Sequence, residues 1–201
     1  MRTLRLILIF FPLFFIMSLA PASVFGLDVE KKVLQNGLTV LHVQRTNLPM
    51  VTFTLLVRGG QRNEPADSAG LANLTAGLMT EGTSKRSSTQ ISKETDFIGA
   101  SLSVNASDDY STVNLSVLKK HLDTGFELFS DVLLHPSFSE EEIERQKAQI
   151  LAALKRNQED PDYVAHTAFI KAVYGDHPYG HPSLGTPEGI GYITRDDITG
   201  F

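Results

Sequence analysis

Cysteine is absent from this 201-residue chain. Neither a disulfide framework nor an acylated lipobox cysteine can exist, so stability has to come from the packed core alone. Basic charge is in short supply too: 18 Lys and Arg stand against 23 Asp and Glu, a net charge of −5. That balance removes the electrostatic case for a nucleic-acid or anionic-lipid partner. Apolar runs are short. The longest, Leu6 to Ala20, is interrupted by Pro12 and falls below the roughly 20 residues of a membrane span. No internal repeat is visible. No Gly-x-Ser-x-Gly elbow accompanies the Ser, His and Asp residues present, so nucleophilic catalysis has no support.

What is there is ordinary globular composition, 42% hydrophobic and 20% charged, in a chain long enough for one sizeable core. Residues 1–26 read as a secretory signal peptide. Arg2 and Arg5 form a basic start, Leu6 to Ala20 an apolar segment, and Pro21-Ala22-Ser23 the small residues that follow. Cleavage is expected after Ala22 or Gly26, with an uncleaved anchor as the alternative. Losing two arginines and no acid takes the net charge from −5 to −7. Residues 27–201 are then expected to be periplasmic or secreted, with no stable membrane span.

Along those residues, Asn36-Gly37 between Lys32-Val33-Leu34-Gln35 and Leu38-Thr39-Val40-Leu41 is a strong hairpin signal. Met50 to Gly59 predicts a strand, followed by a polar loop, Gln61 to Pro65. Ala100 to Ser107 and Tyr110 to Leu118 alternate apolar and polar residues and predict a strand pair. Ser87 with Gln90 predicts a capped helix near Ser88 to Ile98, and Ser139 with Glu142 predicts a second capping box opening a helix to about Gln158. The acids of 140–144 are then residues favoured by the helix dipole. Leu118 to Leu134 predicts a helix with Leu122, Phe126, Phe129 and Leu133 on one side. Tyr163 to Val173, Thr186 to Ile190 and Thr194 to Phe201 predict further helical segments. The pattern is α+β.

The segment Gly70 to Thr83 predicts the helix around which the rest is organised. Leu71, Leu74, Leu78 and Met79 recur at helical spacing, and Gly82-Thr83 supplies a stop. Its other stripe is Asn73, Ala76, Gly77 and Thr80. The six histidines offer one metal-like gap, His177 to His181, but Pro178 and Gly180 place it in a loop without an accompanying acid or thiol at helical spacing.

Gly70-Leu71-Ala72, Gly82-Thr83 and Arg58-Gly59-Gly60 carry a resemblance to a known family. It continues through Gly99 to Ala106, Asp131 to Phe138, Tyr174 to Gly180, Leu184-Gly185-Thr186 and Ile193 to Asp197. Together, in this order and spacing, these blocks resemble the N-terminal domain of the M16 metallopeptidases (insulinase, pitrilysin, mitochondrial processing peptidase). The resemblance implies an α+β domain of the LuxS/MPP-like metallohydrolase type, an antiparallel or mixed sheet with helices packed on one face. It places the family's zinc motif, His-x-x-Glu-His, at Asn73, Ala76 and Gly77. Counting on by the family's spacing places the distal ligand at Ala153. None of the four is an imidazole or carboxylate, so the zinc that serves the family as cofactor has no ligands at these positions. Asn73 and Thr80 remain able to hydrogen-bond across that site.

The resemblance also implies that the strand Leu102-Ser103-Val104-Asn105-Ala106 holds extended peptide substrate by main-chain hydrogen bonds, which need no particular side chain. The alternative is an ordinary strand kept for the fold. Family members enclose peptides in a chamber of four such domains with metal in one. The expectation is a non-catalytic subunit that pairs with a zinc-bearing M16 homologue. The alternatives are a zinc metalloendopeptidase in its own right and a purely structural core subunit. By the same resemblance, residues 27–201 are expected to stop before the domain's last strand and the second homologous domain, either as a fragment of a longer protein or with a sheet edge left unpaired.

Overall fold

The computed structural model describes residues 28–45 and 47–201. The signal peptide predicted at residues 1–26 lies outside them. The chain divides into two units, one running to Leu48 and the other Pro49–Phe201. In the first, β1 (Glu30–Val33) and β2 (Thr39–His42) pair antiparallel. Gly37 has φ 85° in the connecting turn, the left-handed conformation that makes Asn-Gly a hairpin signal.

The second unit holds three strands and seven helices among its described residues. Strand β3 (Met50–Val57), β4 (Ser101–Ala106) and β5 (Ser111–Leu118) form an antiparallel sheet in the order β3-β5-β4. The register sets Val113 opposite Leu55 and Val104, and Leu115 opposite Phe53 and Leu102. Because side chains alternate across a strand, the intervening residues Thr54, Asn114 and Ser103 share the other face. There the Thr54 hydroxyl donates to Asn114 Oδ1 at 3.0 Å. The sheet is thus apolar on one face and lined with hydroxyls and amides on the other, and none of its three strands carries a charged residue.

The helices are α1 (Leu71–Leu78), α2 (Ser88–Phe97), α3 (Leu122–Leu134), α4 (Glu140–Asn157), α5 (Pro161–Tyr174), α6 (Pro187–Tyr192) and α7 (Arg195–Gly200). Two buried clusters organise them. Val113, Leu115 and Val117 pack with Leu128 and Phe129 of α3 and with Ile98, covering the apolar sheet face. Leu71, Leu74 and Leu78 of α1 pack with Ile143, Ile150 and Leu154 of α4, and with Ile190, Ile193 and Ile198. Burial at about 25 cal/mol per Å² of apolar surface is the main stabilising term in such clusters.

Several sequence expectations shift. Helix α1 ends at Leu78, short of Gly82-Thr83, and Gly82 instead forms an antiparallel bridge with Ser87. Phe126 is 48% exposed; α3 buries Leu128, Phe129 and Val132, and its first turn is preceded by a 3-10 turn, Lys119–His121. Ser87 and Gln90 form the reciprocal capping box as read. Ser139 caps α4 by accepting from Glu142 N–H, yet the Glu142 carboxylate turns to Arg145 rather than closing the box.

Candidate functional site

Helix α1 starts without a side-chain cap of its own. Gly70 occupies its N-cap at φ 99°, and a Cβ there would meet the Ile190 side chain at 2.8 Å and Gly185 Cα at 2.9 Å. The unpaired donors of the first turn go to a carboxylate from upstream. Gly70 N–H donates to Glu64 Oε2 at 3.0 Å, and Ala72 N–H to Oε1 at 2.8 Å. The Glu64 side chain is 1% exposed and lies 3.5 Å from His181 Nε2. Beside it the Gln61 amide donates to the Pro178 and His181 carbonyls, each at 2.7 Å. Burial pushes the Glu64 carboxyl above its ordinary range, against the two N–H groups and His181, which pull the other way. The sequence predicts a polar loop at Gln61 to Pro65, but Gln61 and Glu64 are buried. The available signal was a carboxylate six residues ahead of a helix whose N-cap is glycine.

Beyond its other end, Glu81 accepts from Gln146 Nε2 and from the Ser88 hydroxyl, each at 3.0 Å, and pairs with Arg145. This holds the α1 exit against α4. Arg86 then gathers Asp131 at 2.8 Å, Glu127 at 2.8 Å and Glu94 at 3.0 Å. The Thr83 hydroxyl donates to the same Asp131 oxygen at 2.8 Å. Burial acts to raise the Asp131 carboxyl, but Thr83 and Arg86 outweigh it and hold the group below its usual range.

Between these anchors lies a cleft of about 160 Å³. Asn73, Leu74, Ala76 and Gly77 of α1 line it, together with Val104, Asn105 and Ala106 of β4 and Gln146 and Ile150 of α4. No lining residue is charged. Strand β4 is an edge of its sheet among the described residues, and it lacks the Lys or Pro that usually blunts such an edge.

Asn73, Ala76 and Gly77 are therefore brought together with the strand predicted to hold peptide. Of that strand, Val104, Asn105 and Ala106 reach the cleft, Leu102 packs against the sheet cluster, and Ser103 accepts a long, 3.5 Å contact from Asn105 Nδ2. Ala153 is not among the lining residues; it follows Ile150 by one turn of α4. Thr80 does not reach across, its hydroxyl donating to Gly77 carbonyl at 3.4 Å. Gln146 and Ile150 were missed by sequence, because only the packing of α4 against α1 selects them. Gly77 has open space where a Cβ would stand, with nothing within 4 Å. Glycine in a helix interior costs roughly 0.5–1 kcal/mol relative to alanine; Gly77 is the penultimate residue of α1, where the cost is smaller, and no contact requires it here.

The donor set does not fit a zinc ion. Amides, methyls and a glycine stand where imidazole and carboxylate would be needed. Among the described residues no three His, Cys, Asp or Glu side chains converge. His177 accepts from Tyr179 N–H at 3.2 Å through Nδ1, and His181 is engaged by Gln61 and Glu64.

The family model for insulinase, peptidase family M16, matches residues 39–187. The chain belongs to the insulinase family. Among its relatives, a Bacillus subtilis protein called uncharacterized zinc protease YmxG is 25% identical over 85% of this chain and 42% of its own length. A Helicobacter pylori relative described as non-peptidase homolog YmxG is 28% identical over 84% of this chain and 39% of its own. The crystal structure of a peptidase M16 inactive domain from Pseudomonas fluorescens superposes with a TM-score of 0.83 at 27% identity, covering 87% of this chain and 42% of that one. The α+β architecture of the M16 domain is thereby established. The chain spans about two fifths of the length of these relatives.

Proposed function

We propose that this M16-family chain is an exported, non-catalytic subunit that pairs with a zinc-bearing homologue and holds extended peptide substrate along the Leu102–Ala106 strand. One observation carries the reading: the cleft at the family's zinc-motif positions is built of Asn73, Ala76 and Gly77 beside an unguarded strand edge, so it offers main-chain pairing without metal chemistry. The description of one relative as a non-peptidase homolog and of one solved neighbour as an inactive domain supports the non-catalytic part. Exposed apolar side chains on several elements, including Phe97 at 86%, Tyr192 at 72%, Leu134 at 66% and Phe169 at 64%, would be available to such a partner.

Size-exclusion chromatography of the chain alone and co-expressed with a zinc-bearing M16 homologue tests the pairing. A co-eluting complex that is better behaved than the chain alone is expected, because association covers apolar surface. A stable monomer that ignores such homologues would contradict it.

A further inference from the structure

Gly77 is the least explained residue of α1. Its φ is not in the left-handed region, nothing packs where its Cβ would stand, and it lies in the last turn of α1 beside the cleft. Any side chain there would project into open space on the side where Gly77 lines the cavity. Gly77 is thus a lining position where a larger residue would reduce the cavity without meeting a neighbour.

We infer that Gly77 keeps a side-chain pocket open at the family's metal position, and that the peptide held along β4 is selected by one neutral aliphatic residue seated there. This rests on the peptide-holding reading above and adds the class of peptide to it. The size fits, since a cavity of roughly 150 Å³ accommodates a benzene-sized group and this one measures about 160 Å³. The chemistry fits as well. Leu74, Val104 and Ile150 give the lining an aliphatic part, while the Asn73 amide and the main chain of β4 supply donors and acceptors suited to a peptide main chain. With no charge in the lining, a carboxylate or ammonium entering the pocket would lose its hydration without a partner.

The test uses fluorescein-labelled peptides of serine and threonine with a single central leucine, aspartate or tryptophan, titrated into the purified full chain by fluorescence anisotropy. The leucine peptide is expected to bind at least about tenfold more tightly than the aspartate peptide, a difference of about 1.4 kcal/mol. The tryptophan peptide should lose affinity through its size. Gly77→Val should weaken the leucine peptide at least about tenfold and erase the preference. Gly77→Ala should raise the melting temperature by about 2–3 °C while weakening binding less. Gly191→Ala, in α6, has equally open surroundings and should leave binding unchanged.

Equal binding of the leucine peptide to wild type and Gly77→Val would overturn the pocket while leaving peptide holding intact. No binding of any peptide to wild type would overturn the pocket together with the reading beneath it. If Gly77→Val fails to fold, the comparison of the three peptides on wild type still decides. A lack of preference for leucine over aspartate there refutes the inference.

Discussion

Replacing Glu64 by alanine removes the acceptor for two backbone donors at the start of α1, Gly70 N–H at 3.0 Å and Ala72 N–H at 2.8 Å. Both donors are buried, and Gly70 has no side chain to substitute for the lost cap. A buried donor left unsatisfied costs about 1–3 kcal/mol, so the pair should cost about 2–6 kcal/mol. For a chain of this size each kcal/mol moves the melting temperature by roughly 2–4 °C, giving a fall of about 4–24 °C by circular dichroism. Glu64→Gln keeps one acceptor and should cost about half as much. The pH dependence carries a sign. The folded-state carboxyl is raised above its ordinary value of 4.5 by burial. Its titration therefore contributes stability that is fully present below that value and is lost as pH rises through the folded one. The glutamine variant cannot titrate, so its deficit relative to wild type should shrink as pH rises. An alanine variant melting within about 2 °C of wild type would refute the capping role, and a glutamine deficit that widens with pH would refute the upward shift by burial.

Three further outcomes are expected. Arg86→Met should cost about 3–5 kcal/mol, because it strands the buried Asp131 carboxylate, and denaturant titration checks this. Asp131 has a lowered folded-state value, so its contribution is present above the ordinary 3.8 and is lost as pH falls through the folded value; Asp131→Asn should flatten that acid limb. Restoring the family motif through Asn73→His, Ala76→Glu, Gly77→His and Ala153→Glu should create a zinc site measurable by calorimetry. A parallel variant with Gln146→Glu in place of Ala153→Glu tests which α4 position faces the ligands, and absence of binding in both, with the fold intact, would contradict the packing of α1 on α4.

Much of the fold was legible because local signals and tertiary demands agree here. Asn36-Gly37 forces a hairpin, Ser87 and Gln90 close a reciprocal box, and the alternation of Val113, Leu115 and Val117 marks one buried face. The misread places are those where distant packing decides. Phe126 has helical spacing with Phe129, yet α3 turns Leu128 and Val132 inward instead. Glu64 reads as a loop acid until the uncapped start of α1 is set against it. The cleft was half legible: the motif positions Asn73, Ala76 and Gly77 and the strand end Val104 to Ala106 were found, because the family resemblance supplies their roles. Gln146 and Ile150 were not found, because helical periodicity cannot say which turn of α4 faces α1.

The central claim is that the cleft of this M16-family chain has lost its metal chemistry. Elemental analysis of the purified, dialysed protein tests it most directly. With amide, methyl and glycine groups at Asn73, Ala76, Gly77 and Ala153, no stoichiometric zinc should be retained. One tightly held zinc per chain would contradict the account.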